Sequence, residues 1–276
     1  MNYRHVFHAG NHADVFKHAA LTLILAHLAA KQQPFAVLDT HAGVGAYDLA
    51  SEDAQRTKEY AAGAALLFGR PLAAAPAYAQ LLAAMNPDGR LSAYPGSPEI
   101  ARRLLREGDR LVLCELHPND AAALKARYRG DLRVHVHRRD GYEAAAALVP
   151  PPERRGLVLV DPPYEAADET ARLTAALAAG LRKWPTGVFC AWYPIKDHVI
   201  GDALANAARI GGWPKTLRAE FLAYPLDGEA MAGGGLLIMN APWRLDEKLE
   251  ALCRELHPIL GEGHGSWRID QLNPPL

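Results

Sequence analysis

Residues 156–164, Gly-Leu-Val-Leu-Val-Asp-Pro-Pro-Tyr, constrain the fold more than any other stretch. An apolar run without polar alternation predicts a strand buried on both faces, the pattern of a parallel sheet. Pro162 and Pro163 end it. Neither can donate to a ladder, and Pro162 biases Asp161 toward extended backbone. A carboxylate, two stiff carbonyl-bearing residues and an aromatic ring therefore arrive at the carboxyl end of a central strand, where open α/β sheets bind ligands.

The remaining chain repeats this rhythm. Strands are predicted at 35–38, 110–115, 132–136, 187–194, 216–223 and 236–240, alternating with helical windows at 119–129, 142–148, 168–180, 196–210 and 245–257. A further helix begins at Asp14, read as its cap, and runs to about Lys31. The expectation is an α/β fold: a mostly parallel seven-stranded sheet, with the last two strands forming an antiparallel edge hairpin. Between 51 and 108 alanine, leucine and proline dominate and no strand run interrupts the helical windows. That length exceeds what one crossover needs. The expected division is a main domain over 1–50 and 109–276, with an inserted helical subdomain over 51–108. Residues 261–276 read as a polar tail.

Three acids fall at predicted strand ends. Asp39 precedes a turn in which Gly43 and Gly45 let backbone approach a ligand. That turn lacks the lysine of a P-loop and the third glycine of a dinucleotide fingerprint. It fits an S-adenosylmethionine turn better, with a plain βα turn as the alternative. Glu115 ends the next strand, where nucleoside riboses are gripped, and Asp140-Gly141 follow the third. Asp161-Pro162-Pro163-Tyr164 suits methylation of an exocyclic amine. The amine's lone pair is delocalised into the ring. A carboxylate and a fixed backbone carbonyl accepting its two hydrogens would localise it, while Tyr164 stacks on an extruded base. An ordinary Asp-Pro-Pro turn is the other reading.

Composition excludes little. Lys+Arg 30 against Asp+Glu 31 gives a net charge of −1, so no global basic signal for nucleic acid exists. Residues 101–139 hold ten Lys/Arg against five acids, which reads as a phosphate-facing patch or as solvated helix faces. Cys114, Cys190 and Cys253 lie far apart, the pattern of reduced thiols in a cytoplasmic protein. The polar start does not read as a signal peptide, and the apolar stretch 19–30 is too short to span a bilayer. His5, His8, His12 and His18 fall within eighteen residues; a metal site is one reading and polar contacts to a ligand or neighbouring loops the other.

Taken in order, Tyr3-Arg-His-Val-Phe-His-Ala-Gly-Asn-His-Ala-Asp-Val15, Leu38-Asp-Thr-His-Ala-Gly43, Tyr94-Pro-Gly-Ser-Pro98, Glu115-Leu-His-Pro118, Asp140-Gly141, Arg154-Arg-Gly-Leu157, Asp161-Pro-Pro-Tyr-Glu165 and Ala191-Trp-Tyr-Pro194 resemble the bacterial 23S ribosomal RNA adenine-N6 methyltransferase J family (RlmJ). The resemblance runs from residue 3 to about residue 267. It implies a Rossmann-like methyltransferase with a helical insertion, S-adenosylmethionine as donor and one adenosine of 23S ribosomal RNA as acceptor. Carried over by position, His18, His41, Ser97, Glu115, Asp140 and Gly141 would contact the cofactor. Asp161 would accept the amine hydrogen, and Tyr3 would help hold the RNA. A sulfonium methyl is already electrophilic, so no metal is expected; a cytoplasmic monomer is. Two other readings stay open: a DNA adenine-N6 methyltransferase, whose target base presents the same edge, and a non-catalytic RNA-binding protein with a cofactor fold.

Overall fold

The computed structural model describes residues 5–273. Ten strands are present: β1 (Ala36–Asp39), β2 (Ala46–Asp48), β3 (Ala93–Pro95), β4 (Arg110–Cys114), β5 (Val134–His137), β6 (Gly156–Val160), β7 (Val188–Ile195), β8 (Leu217–Leu222), β9 (Gly233–Met239) and β10 (Ser266–Gln271). Eight form the main sheet in the order β10-β8-β9-β7-β6-β1-β4-β5. Strands β5, β4, β1, β6 and β7 run parallel, and β9, β8 and β10 add antiparallel pairings. The expected seven strands thus become eight. Residues 266–271, read as polar tail, pair with β8 along its whole length.

Ten helices accompany them: α1 (His12–Ala29), α2 (Glu52–Thr57), α3 (Ala64–Leu67), α4 (Pro76–Met85), α5 (Ser97–Leu104), α6 (Pro118–Arg127), α7 (Gly141–Ala147), α8 (Glu169–Lys183), α9 (Val199–Ile210) and α10 (Leu245–Leu256). Alternate strand residues face opposite layers, as the pleat requires. Leu157 and Leu159 of β6 join a core with α1, α5 and α10, whereas Val158 and Val160 join one with α7, α8 and α9. The result is a three-layer Rossmann-like sandwich. The chain steps outward from β1 through β4 to β5, then returns to β6 on the other side of β1. That reversal opens a crevice at the carboxyl ends of β1, β4 and β6.

Two expectations change in detail. The cap of α1 is Asn11, whose side chain accepts from the Asp14 N–H at 2.9 Å; Asp14 lies inside the helix, buried. Within 51–108 a short strand does occur, β3, paired antiparallel with β2. Helix α5, which follows it, packs on α1, β1 and β4 of the main sheet. The segment between β2 and β3 carries α2, α3 and α4 and braces the chain start: the Ala64 N–H donates to Gly10 O at 2.8 Å, and Glu59 accepts from His8 and Asn11. Among the described residues no helix is long and apolar enough to cross a membrane.

Candidate active site

A cavity of about 800 Å³ occupies the crevice. Its walls bring together Asp161, Pro162 and Tyr164, and also His18, His41, Gly43, Ser97, Glu115, Asp140 and Gly141. Tyr3 lies outside the described residues.

One end is built from β1, β4 and the start of α7. The Glu115 carboxylate, at the end of β4, accepts the Gly43 N–H on one oxygen and the His117 N–H on the other, both at 2.8 Å. It thereby fixes the glycine turn. Gly43 has φ +58°, where a side chain is strained, and an added Cβ would sit 2.7 Å from the Tyr47 hydroxyl. Asp140 caps α7, accepting the Tyr142 and Glu143 N–H groups, and its other oxygen meets Arg172 at 3.1 Å. A Cβ on Gly141 would lie 2.3 Å from Thr40 O and 2.6 Å from the His41 ring, so only glycine permits this approach. Thr40 gives its hydroxyl hydrogen to Leu159 O and so accepts from His41 Nδ1 at 2.8 Å. His41 Nε2 therefore keeps its lone pair. Burial pushes the His41 pKa down to about 4, so the ring is neutral. Tyr142 stands edge-on to it, and Arg172 covers the Tyr142 ring at 4.5 Å. Backbone N–H groups, ordered carboxylates, an aromatic wall and two places with no room for a Cβ suit a nucleoside.

The floor is deeper. Asp39, at the end of β1, is 1 % exposed and accepts the Ser97 hydroxyl at 2.7 Å. Burial raises its pKa to about 7; the nearby Asp161 charge adds to this, against the Ser97 hydrogen bond. His18 is buried, bonded through Nδ1 to the Tyr94 hydroxyl, and burial lowers its pKa to about 3.

The other end centres on Asp161. Its carboxylate meets Lys17 Nζ at 2.6 Å, and the same ammonium meets Asp14 at 2.8 Å and lies 5.2 Å from the Trp192 ring centre. Burial alone would lower the Lys17 pKa, but the two carboxylates outweigh it and raise it. Tyr164 has φ +52°, a conformation costing a bulky residue about 1–3 kcal/mol. It is held there by its hydroxyl bond to Trp192 O at 3.1 Å and an edge contact with the Trp192 ring. Glu169 accepts from the Ala166 N–H at 3.3 Å and from Tyr142. The loop after β6 is thus tied at three points, which fixes the direction of its carbonyls and its ring.

Sequence reasoning missed Lys17, Asp14, Asp39 and the Tyr142–Glu169–Arg172 cluster. A charged i,i+3 pair, Asp14 and Lys17, in a helix apolar on all sides was the available signal: buried charges must find partners. The N-terminal histidines divide among separate partners, His5 on Asp14, His8 on Glu59 and His18 on Tyr94. No group of three or more His, Cys, Asp or Glu among the described residues is placed to hold a metal. All three cysteines are buried and free. Of the basic residues between 101 and 139, Arg102, Arg103, Arg106, Arg110 and Arg133 pair with carboxylates at 2.6–2.9 Å, and Arg127 bonds the carbonyls of Val44 and Ala46.

A family model described as "Ribosomal RNA large subunit methyltransferase D, RlmJ" matches residues 32–272. Two curated relatives are called ribosomal RNA large subunit methyltransferase J. The Escherichia coli (strain K12) protein is 39% identical, over 98% of this chain and 100% of its own. The Haemophilus influenzae protein is 38% identical, over 99% of each. A crystal structure of a Legionella pneumophila protein superposes with a TM-score of 0.89 at 36% identity, covering 96% of this chain and 98% of that one.

Proposed function

The chain belongs to the ribosomal RNA large subunit methyltransferase J (RlmJ) family, and from that premise we propose that it transfers a methyl group from S-adenosylmethionine to the N6 amine of one adenosine in 23S ribosomal RNA. The observation that carries this reading is the shared cavity: Asp161 ends β6 on one side of β1, and Glu115 ends β4 on the other. Donor and acceptor subsites at neighbouring strand ends are the geometry that direct transfer needs.

In this reading Glu115 takes the cofactor's ribose hydroxyls and Asp140 its adenine amine. His41 and Gly141 wall the adenine, and the Gly43 turn lies along the nucleoside. His18 and Ser97 meet the amino-acid portion. Because the Ser97 hydrogen is given to Asp39, its oxygen faces the ligand as an acceptor, which suits an ammonium. The bound cofactor supplies an electrophilic methyl on a sulfonium.

The protein's own work is at the amine. Asp161 and the Pro162 carbonyl accept its two hydrogens, turning the lone pair toward the methyl, while Tyr164 stacks on the extruded base. Lys17 keeps Asp161 ionised and aimed. Asp161 is a weak base, with a reference pKa of about 3.9. The amine acidifies as its new bond forms, so a weak base in contact suffices. By the resemblance, Tyr3 holds the RNA.

The test is incubation with tritiated S-adenosylmethionine and, separately, protein-free 23S RNA, 16S RNA and duplex DNA, followed by nucleoside analysis. N6-methyladenosine in 23S RNA alone is expected. Label in DNA would move the acceptor to DNA. No label in any nucleic acid, with the cofactor bound, would defeat transfer to naked RNA.

A further inference from the structure

One buried polar atom in the cavity wall is left over by this account. Nε2 of His12 has no hydrogen-bond partner among the described residues, although the residue is only 8 % exposed. His12 is the first residue of α1 and lines the cavity on the side of Trp192 and the β8–β9 loop. Its ring meets that of Tyr224 edge-on, centroids 5.3 Å apart, and it is hydrogen-bonded to the Met231 backbone. Burial lowers its pKa, so the imidazole is neutral, with one hydrogen and one lone pair. With Nε2 unpaired, the Met231 contact falls to Nδ1 and the lone pair to Nε2. A buried acceptor left unmet is costly, so the ligand that completes this wall must bring a donor.

The proposed substrate offers few. An adenosine inside an RNA chain donates through its N6 amine and its 2′-hydroxyl and through nothing else. The amine is committed to Asp161 and Pro162. We propose that His12 Nε2 accepts the 2′-hydroxyl of the target nucleotide, making His12 the residue that selects RNA over DNA. This rests on the acceptor reading above and deepens it. Two neighbours in the cavity wall suit the same nucleotide. Tyr224, 39 % exposed, offers an aromatic surface to the sugar or an adjacent base, and Lys196, exposed and in no ion pair among the described residues, offers a cation to its phosphate. A 2′-hydroxyl contact is the feature by which a protein tells the two nucleic acids apart.

The test maps the labelled adenosine and then uses a short RNA around it in three forms: unmodified, with a single 2′-deoxyadenosine at that position, and with 2′-fluoro, which cannot donate. The wild-type protein should methylate both altered forms with kcat/KM roughly tenfold lower, the usual penalty of a lost hydrogen bond to a buried group. In His12→Phe the ratio of RNA to deoxy rates should fall close to one, whereas His12→Gln, which keeps an acceptor oxygen, should retain part of the preference. Equal wild-type rates on all three forms would overturn the inference without any variant, and so would a preference that survives His12→Phe. Failure of the wild type to methylate the unmodified RNA would instead overturn the acceptor reading, and this inference with it.

Discussion

At Lys17 an ammonium that is 3 % exposed bridges Asp14 and Asp161, so two carboxylates share one cation. Removing the cation and removing one carboxylate are therefore unequal changes. Lys17→Met strands Asp161 without a cation and should cost about 3–5 kcal/mol of stability, as broken buried pairs do. Asp161→Ala leaves the Lys17–Asp14 pair intact and should cost roughly 1–2 kcal/mol, yet abolish methyl transfer while cofactor affinity stays within about tenfold. Urea denaturation, titration calorimetry with S-adenosylhomocysteine and the tritium assay read these three quantities; equal destabilisation by both changes would refute the shared cation. Asp39 gives a pH signature. Its pKa is about 7 in the fold against 3.8 for an ordinary aspartate. Below pH 4 both states are protonated. Between 4 and 7 only the unfolded chain loses the proton, so stability falls as pH rises and levels off above 7. Asp39→Asn removes that loss. Its melting temperature should match the wild type near pH 4 and exceed it increasingly up to pH 7–8, by at most about 4 kcal/mol. His18 and His41, lowered by burial, act in the opposite direction in both proteins and cancel from the difference. A difference independent of pH would place an ionised Asp39 in the fold.

Elements were legible where one physical term dominates. The β6 strand is four apolar side chains closed by two prolines, and burial with missing donors leaves no other solution. Its parallel neighbours follow from the same runs, and their terminal acids mark the crevice. β10 was not legible: Trp267 and Ile269 alternate with Arg268 and Asp270, and the polar residues are satisfied only across the sheet, by Glu220 and Arg218 of β8. No window of sequence contains both halves of such a pair. The helix boundary at Asn11 was displaced because Asp14 and Asn11 both cap well in isolation, and only the Lys17 contact makes Asp14 more useful inside the helix. The site divides along the same line. Residues on strand ends and glycine turns announce themselves by position. Lys17, Asp39 and His12 act through partners distant in sequence, such as Asp161, Ser97 and Tyr224, and an apolar helix that conceals three working polar groups reads simply as core.

Across the whole molecule the sheet separates an edge that confers stability from a crevice that performs chemistry. β8 is buried at every position because β10 covers its outer side. Glu220, 2 % exposed, accepts from Arg268 of β10 and from the Tyr193 hydroxyl, and Arg218 pairs with Asp270 of β10 and with Asp202. Asp161 ends β6, with β7 and β9 between β6 and β8. Ending the chain at Gly265 should then do two things. It should leave the Glu220 carboxylate with a hydroxyl in place of a guanidinium, at a cost of about 3–5 kcal/mol. For a chain of this length that is a fall in melting temperature of roughly 10 °C. It should also expose the ladder groups of β8, so the shortened protein should self-associate with rising concentration, as bare edges do. Well below the melting transition its affinity for S-adenosylhomocysteine should lie within about threefold of the full chain, because no residue of β10 lines the cavity. Calorimetric melting, sedimentation at several concentrations and titration of the cofactor product check the three parts. An unchanged melting temperature would mean that β10 adds nothing to the edge it covers. Lost cofactor binding without a lower melting temperature would mean that the edge and the crevice are coupled through β9 and β7.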